Sequence, residues 1–132
     1  MAPTSAACPF CALAREEILI ERGLAVALRD SYPLSKDHTL IIPRRHVASF
    51  FETTKEERRE MLQLLDETRA LLDREHQPDG YNIGINDGTA AGQTVMHLHI
   101  HVVPRYKGDQ VDPRGGIRGI FPEKAAYWNK TE

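Results

Sequence analysis

Three histidines stand at strict alternation in His97-Leu98-His99-Ile100-His101-Val102-Val103. In a strand, successive side chains point to opposite faces. This stretch therefore predicts one face of three imidazoles and an opposite face of Leu98, Ile100 and Val102, with β-branched residues favouring the strand. Pro104 cannot donate to a ladder and is expected to close it. Such a face could be solvated or simply packed. It could bind a metal, since imidazoles are zinc ligands, but residues two apart on a strand are about 6.6 Å apart and those four apart about 13 Å, so three converge poorly on one ion. It could also act on a phosphate, where one imidazole attacks while its neighbours donate hydrogen bonds to oxygens or protonate a leaving group.

A second group of chemistry-bearing residues is Cys8-Pro9-Phe10-Cys11. Two cysteines at this spacing read as zinc ligands, a redox pair or two unconnected thiols. A thioredoxin-like motif needs a preceding strand, and the leading seven residues leave no room for one. A structural zinc site would need two more ligands, which His46 and one histidine of the alternating run could supply.

The elements that must position these residues follow from local pattern. Residues 9–15 suit a short helical turn. Residues 17–21 and 24–28 read as strands joined by a tight turn at Arg22-Gly23. A loop from Arg29 to Asp37 leads to a third strand over His38 to Ile42, ended by Pro43. Thr54 and Glu57 are spaced as a capping box. The helix that follows runs to about Glu75 and carries Met61, Leu64, Leu65, Thr68, Leu71 and Leu72 as a buried stripe. His76 could cap carbonyls at its end. Tyr81, Ile83 and Ile85 alternate in a fourth strand, and a polar loop from Asp87 to Thr94 returns the chain antiparallel into the histidine strand. The fold expected is α+β, with about five antiparallel strands and one long helix on one face.

At 132 residues with 41% hydrophobic and 27% charged residues, the chain suits a single domain over 1–132, with a flexible tail at 1–7 and a C-terminal extension at 108–132. Net charge is −2, which gives no global basic field for nucleic acid. No apolar run is long enough for a membrane span, and the first residues lack the pattern of a secretory signal, so a cytoplasmic protein is the expectation. Phe121, Tyr127 and Trp128 need burial, and a neighbouring subunit is a natural place for them.

The alternating run resembles the His-φ-His-φ-His-φ-φ signature of the histidine triad (HIT) family, where φ is apolar. Asn86-Asp87-Gly88-Thr89-Ala90-Ala91-Gly92-Gln93-Thr94-Val95 resembles that family's Asn-rich loop followed by Gly-Gln-Ser/Thr-Val. Asp37-His38-Thr39-Leu40-Ile41-Ile42-Pro43-Arg44-Arg45-His46 is similar to its Gly-His-x-Leu-Val-x-Pro-Lys-x-His. The resemblance spans roughly residues 8–107.

What it implies is a nucleotide hydrolase in which His99 attacks the α-phosphorus of an AMP-containing substrate and water then releases AMP. His101 would serve phosphate oxygens or the leaving group, His97 would support His99, and His38 would orient the group. Asn86, Gln93 and Thr94 match phosphate-contacting positions, Asp30 the ribose-holding position, and Phe10 and Leu28 the adenine pocket. Bacterial-type members imply structural zinc at Cys8, Cys11, His46 and His97. No organic cofactor is implied, and relatives pair as homodimers. Relatives that transfer nucleotides carry Gln at the third triad place; His101 favours hydrolysis. Val103 to Asp109 resembles the dinucleoside polyphosphate hydrolase branch. A nucleoside phosphoramidate or acyl-adenylate hydrolase, or a nucleotide-binding protein with little turnover, is the alternative.

Overall fold

The structure is a computed structural model that describes residues 8–129. The tail expected over residues 1–7 lies outside the described residues. Five strands form one antiparallel sheet: β1 (Ile18–Arg22), β2 (Ala25–Arg29), β3 (Thr39–Pro43), β4 (Gly80–Gly84) and β5 (Ile100–Arg105), in spatial order β1-β2-β3-β5-β4. One long helix, α1 (Lys55–His76), covers one face. The α+β architecture is the one expected.

Alternation divides the sheet cleanly. Ala25, Ala27, Ile41, Ile100 and Val102 point to one face and bury Met61, Leu64 and Leu72 of α1. Val26, Leu28, Leu40 and Ile42 point to the other, where Phe10, Leu13 and Ile18 pack on them. Leu40 is opposite His101 in the β3–β5 ladder, so the imidazole face lies on this second side. The helix thus builds the core and leaves the other face to the N-terminal segment.

The capping box forms: Thr54 Oγ1 accepts from Glu57 N–H at 3.0 Å, and Glu57 Oε1 accepts from Thr54 N–H at 2.8 Å. Glu57 is buried and also takes two charge-assisted hydrogen bonds from Arg45, at 2.8 and 3.0 Å. These hold its carboxyl below the usual carboxylate range. One glutamate therefore fixes both the start of α1 and the segment carrying His46.

Several boundaries differ from the sequence-based reading. The first hairpin turns at Gly23-Leu24, one residue later than expected, with Gly23 at φ 50°. The histidine strand was expected from His97, but its ladder begins at Ile100. Register with β3 would set Pro43 opposite Leu98. Pro43 has no N–H to donate, its carbonyl accepts from His97 Nε2, and Leu98 N–H turns instead to Val47 O at 2.7 Å. Leu98 still joins the helix-side core, so the alternation holds although the ladder does not.

Pro104, expected to end the strand, lies within it. Its carbonyl points past the end of β3, where Ser35 Oγ donates to it at 2.7 Å, so the missing N–H is absent from no ladder. His76 makes no carbonyl cap; it contacts the Asp37 carboxylate, and Gln77 closes α1 in the left-handed region.

Beyond β5 the chain forms short turns and a one-turn helix, α2 (Pro122–Ala125). Arg114 stacks on Trp128 at 4.4 Å and Arg118 on Tyr127 at 4.9 Å. Ile117, Ile120, Phe121 and Tyr127 remain more than half exposed.

Candidate active site and metal centre

The imidazole face gathers His38 from the residue before β3, His97 and His99 from the approach to β5, and His101 from β5 itself. His99 and His101 ring centroids are 5.0 Å apart, and those of His38 and His101 are 5.2 Å apart. His38, His97 and His99 are buried. Burial lowers the pKa of His38, His97 and His101, the neighbouring imidazoles adding to the effect at His97 and His101, while the Asp30 carboxylate opposes it at His38 and His101. Three neutral rings near neutral pH follow.

Hydrogen bonds fix which nitrogen of each ring holds the proton. His99 Nδ1 lies 2.8 Å from His97 O, and a carbonyl only accepts, so Nδ1 holds the proton and Nε2 keeps its lone pair. His38 Nδ1 accepts from Leu34 N–H at 3.1 Å, so His38 Nε2 holds the proton and donates to His101 Nδ1 at 3.0 Å. His101 Nε2–H is then the outward donor. The set is one nucleophilic nitrogen beside one hydrogen-bond donor.

Asp30, expected from the resemblance at the ribose-holding position, lies beside the imidazole group. Its Oδ2 is 3.5 Å from His38 Nε2 and 4.0 Å from His101 Nδ1, while Oδ1 accepts from Tyr32 N–H. These three groups also have metal-ligand types. The Leu34 bond argues against that use, because a His38 ring protonated at Nε2 has no lone pair there for an ion.

Phe10 packs edge-on against His97 and His99, with ring centroids 5.8 and 5.3 Å away, and Leu28 is in the apolar cluster under it. Asn86 is half-buried and Thr94 exposed, at the two ends of the β4–β5 loop. Gln93 is buried, and its amide is fully engaged by that loop: Oε1 accepts from Gly88 N–H, and Nε2 donates to Ala48 O and Val95 O. These bonds tie the loop to the segment before α1. Asp87, which the sequence reading passed over, ties the same loop down by accepting from Ser49 Oγ and Phe50 N–H. A lone Asp among Gly and Asn in a polar loop gave no signal for that.

Cys8, Cys11, His46 and His97 converge so that one ligand atom from each lies within 4.8 Å of the others. Cys8 Sγ and Cys11 Sγ are each 3.5 Å from His97 Nδ1, and Cys11 Sγ is 3.2 Å from His46 Nδ1. A tetrahedral zinc with ordinary Zn–S and Zn–N bonds spaces its ligands about 3.3–3.8 Å apart. His97 Nε2 donates to Pro43 O at 2.8 Å, which leaves Nδ1 free to ligate. The donor set and spacing fit zinc, and the Pro43 carbonyl holds the His97 ring by its other nitrogen.

Comparison with known proteins agrees with this geometry. The HIT domain model matches residues 13–108. The chain belongs to the HIT family. It is 37% identical over 118 residues to an uncharacterised HIT-like protein of Methanocaldococcus jannaschii, covering 86% of this chain and 91% of that one. It is 34% identical over 96 residues to an AP-4-A phosphorylase of Mycobacterium tuberculosis, covering 71% of this chain and 49% of that protein. Among solved HIT structures, a Zn-bound histidine triad family protein from Mycobacterium smegmatis is similar with TM-score 0.74 and 35% identity, covering 83% of this chain and 82% of that one.

Proposed function

We propose that this HIT protein is a nucleotide hydrolase that cleaves at the α-phosphate of an AMP-containing substrate of the diadenosine polyphosphate type. The observation that carries the reading is the hydrogen bond from His99 Nδ1–H to His97 O, which leaves Nε2 with a lone pair beside the donor His101. His99 Nε2 attacks the α-phosphorus and a phosphorus–nitrogen bond forms as the phosphorus–oxygen bond to the leaving group breaks. His101 Nε2–H donates to a phosphate oxygen or to that departing oxygen. Water then attacks the nucleotidyl-imidazole, releasing AMP and restoring neutral His99. His38 keeps His101 in its donor tautomer. Asp30 is the candidate for the ribose hydroxyls, Phe10 and Leu28 for the base, and Asn86 and Thr94 for the polyphosphate.

The AP-4-A phosphorylase relative supports the substrate class and raises a second acceptor, inorganic phosphate. A panel of AMP conjugates tests both. Hydrolysis gives AMP regardless of phosphate, whereas phosphorolysis of the same intermediate gives ADP in proportion to added phosphate. AMP release confined to phosphoramidates or acyl-adenylates would shift the substrate class, and no release from any conjugate would leave a nucleotide-binding protein.

Zinc bound by Cys8, Cys11, His46 and His97 would supply a rigid cross-link, with no part in bond making. The two cysteines stand as free thiols, as suits metal ligation in a cytoplasmic setting. Among the described residues no helix is long and apolar enough to cross a membrane. A homodimer is supported by the exposed Ile83 on edge strand β4 and the exposed apolar side chains of the C-terminal extension. Light scattering at micromolar concentration tests it, and a monomer mass would defeat it.

A further inference from the structure

Asp37 is the residue immediately before His38, and its φ is +65°. It sits third in the turn closed by His38 N–H on Ser35 O at 3.1 Å, a position where positive φ favours glycine. The chain uses an aspartate there, and the side chain is fully engaged. One carboxylate oxygen contacts His76 Nε2 at the last residue of α1; the other lies 3.5 Å from Arg29 Nε. Asp37 O accepts from Arg29 at 3.2 Å and from Thr39 Oγ1 at 2.8 Å. Arg29 in turn reaches Glu75 at 3.5 Å, and half-buried Tyr106 lies near enough to feel the Asp37 charge.

We propose that Asp37 and His76 form a positioning pair that fixes the tautomer of His38. The turn they hold ends at His38 and follows directly on Leu34, whose N–H bonds to His38 Nδ1. If the turn shifts, that hydrogen bond is lost and His38 samples both tautomers. The Nδ1–H form cannot donate from Nε2 to His101, so His101 loses its fixed donor orientation. The end of α1 thereby reaches the imidazole group through one turn, without touching it. The catalytic consequence rests on the reading of His101 as the donor in the proposed hydrolysis.

Nitrogen-15 spectra of the imidazoles at neutral pH test the pair without reference to activity. In wild type His38 should show the Nε2–H pattern. His76→Ala removes the partner, and Asp37→Gly removes the carboxylate while supplying the residue best suited to positive φ, which separates anchoring from backbone strain. Both should give averaged His38 shifts, and kcat on an AMP conjugate should fall about ten- to hundredfold with KM within about threefold. Asp37→Asn keeps an acceptor for His76 and tolerates this backbone, so it should restore the wild-type pattern. A His38 that stays in the Nε2–H tautomer in both His76→Ala and Asp37→Gly overturns the proposal, as does an Asp37→Asn variant no better than Asp37→Gly. A protein that turns over no AMP conjugate yet shows these shifts defeats the hydrolase reading and keeps this one.

Discussion

The carbonyl of His97 accepts the Nδ1 proton of His99 at 2.8 Å, while the ring of His97 faces the cysteine pair. One residue therefore serves the candidate metal site with its side chain and the candidate nucleophile with its backbone. The two sites are adjacent parts of a single device, and several outcomes follow from that.

His99→Ala should abolish the chemical step and leave AMP affinity largely intact, because the lost atom is the attacking one. A fall in kcat of at least about a thousandfold is expected, with the dissociation constant for AMP within a few-fold. Rapid-quench kinetics and AMP titration measure the two. A variant within tenfold of wild-type turnover would rule His99 out as the nucleophile.

Zinc removal should destabilise the chain and loosen His97. A loss of about 2 kcal/mol of linkage would lower Tm by roughly 5–10 °C. Cys8→Ser should behave like the chelated wild type and gain nothing from added zinc. Elemental analysis finding no metal in protein made with zinc available would remove the basis for this.

The pH dependence has a worked sign. Burial depresses the pKa of His38 and His101 in the folded state, whereas unfolded imidazoles protonate near about 6.5. The unfolded chain then binds more protons than the folded one below that value. Stability from these two groups is therefore present above about pH 6.5 and is lost as pH falls through their depressed folded pKa values. Urea midpoints from pH 8 to 5 should show that decline, and it should shrink in His101→Asn. Turnover should hold from pH 8 down past the ordinary imidazole range and fall as pH drops through the depressed values of His38 and His101, since protonation ends their hydrogen bond. A turnover profile with no fall on the acid side down to the loss of folding, with chemistry rate-limiting, would contradict a role for that hydrogen bond.

Glu57→Ala removes half of the capping box and strands Arg45 without its partner. The cap alone is worth about 1 kcal/mol. Arg45 is half exposed, so its pair adds less than a buried one would. A total near 2 kcal/mol is expected in chemical denaturation, against about 1 kcal/mol for Thr54→Ala. Equal losses in the two variants would mean that Arg45 contributes nothing.

Much of this architecture could be read from residue order. The period-two run at His97 to Val102 put the imidazoles on one face, and the spacing of Met61, Leu64, Thr68 and Leu72 gave the buried side of α1. The Cys8, Cys11, His46 and His97 grouping followed from resemblance and donor chemistry, and the four do converge. What could not be read were relations set by backbone atoms. Nothing in the type of Leu34 says that its N–H will choose the proton position on His38, and nothing in Pro43 says that its carbonyl will take His97 Nε2 and so delay the β5 ladder. The partners of Gln93 were illegible for a similar reason: an amide that suits a phosphate suits three backbone groups equally well.

The sheet order places β5 between β3 and β4, so the sheet consists of two locally connected units joined along one seam. The meander of β1, β2 and β3 is joined by residues 23–24 and 30–38, and the pair of β4 and β5 by residues 85–99, all far shorter separations than the seam spans. The seam between them, Thr39 to Ile41 against Ile100 to Val102, joins residues about sixty positions apart and carries the larger loop-closure cost. His38 belongs to one unit and His97, His99 and His101 to the other. Cys8, Cys11 and His46 likewise await His97 across the same seam. During folding, the imidazole group comes into being only when this seam shuts. A nascent or half-folded chain would hold histidines and thiols but no assembled centre, and an ion captured by all four ligands would mark the moment of closure and then oppose its reversal.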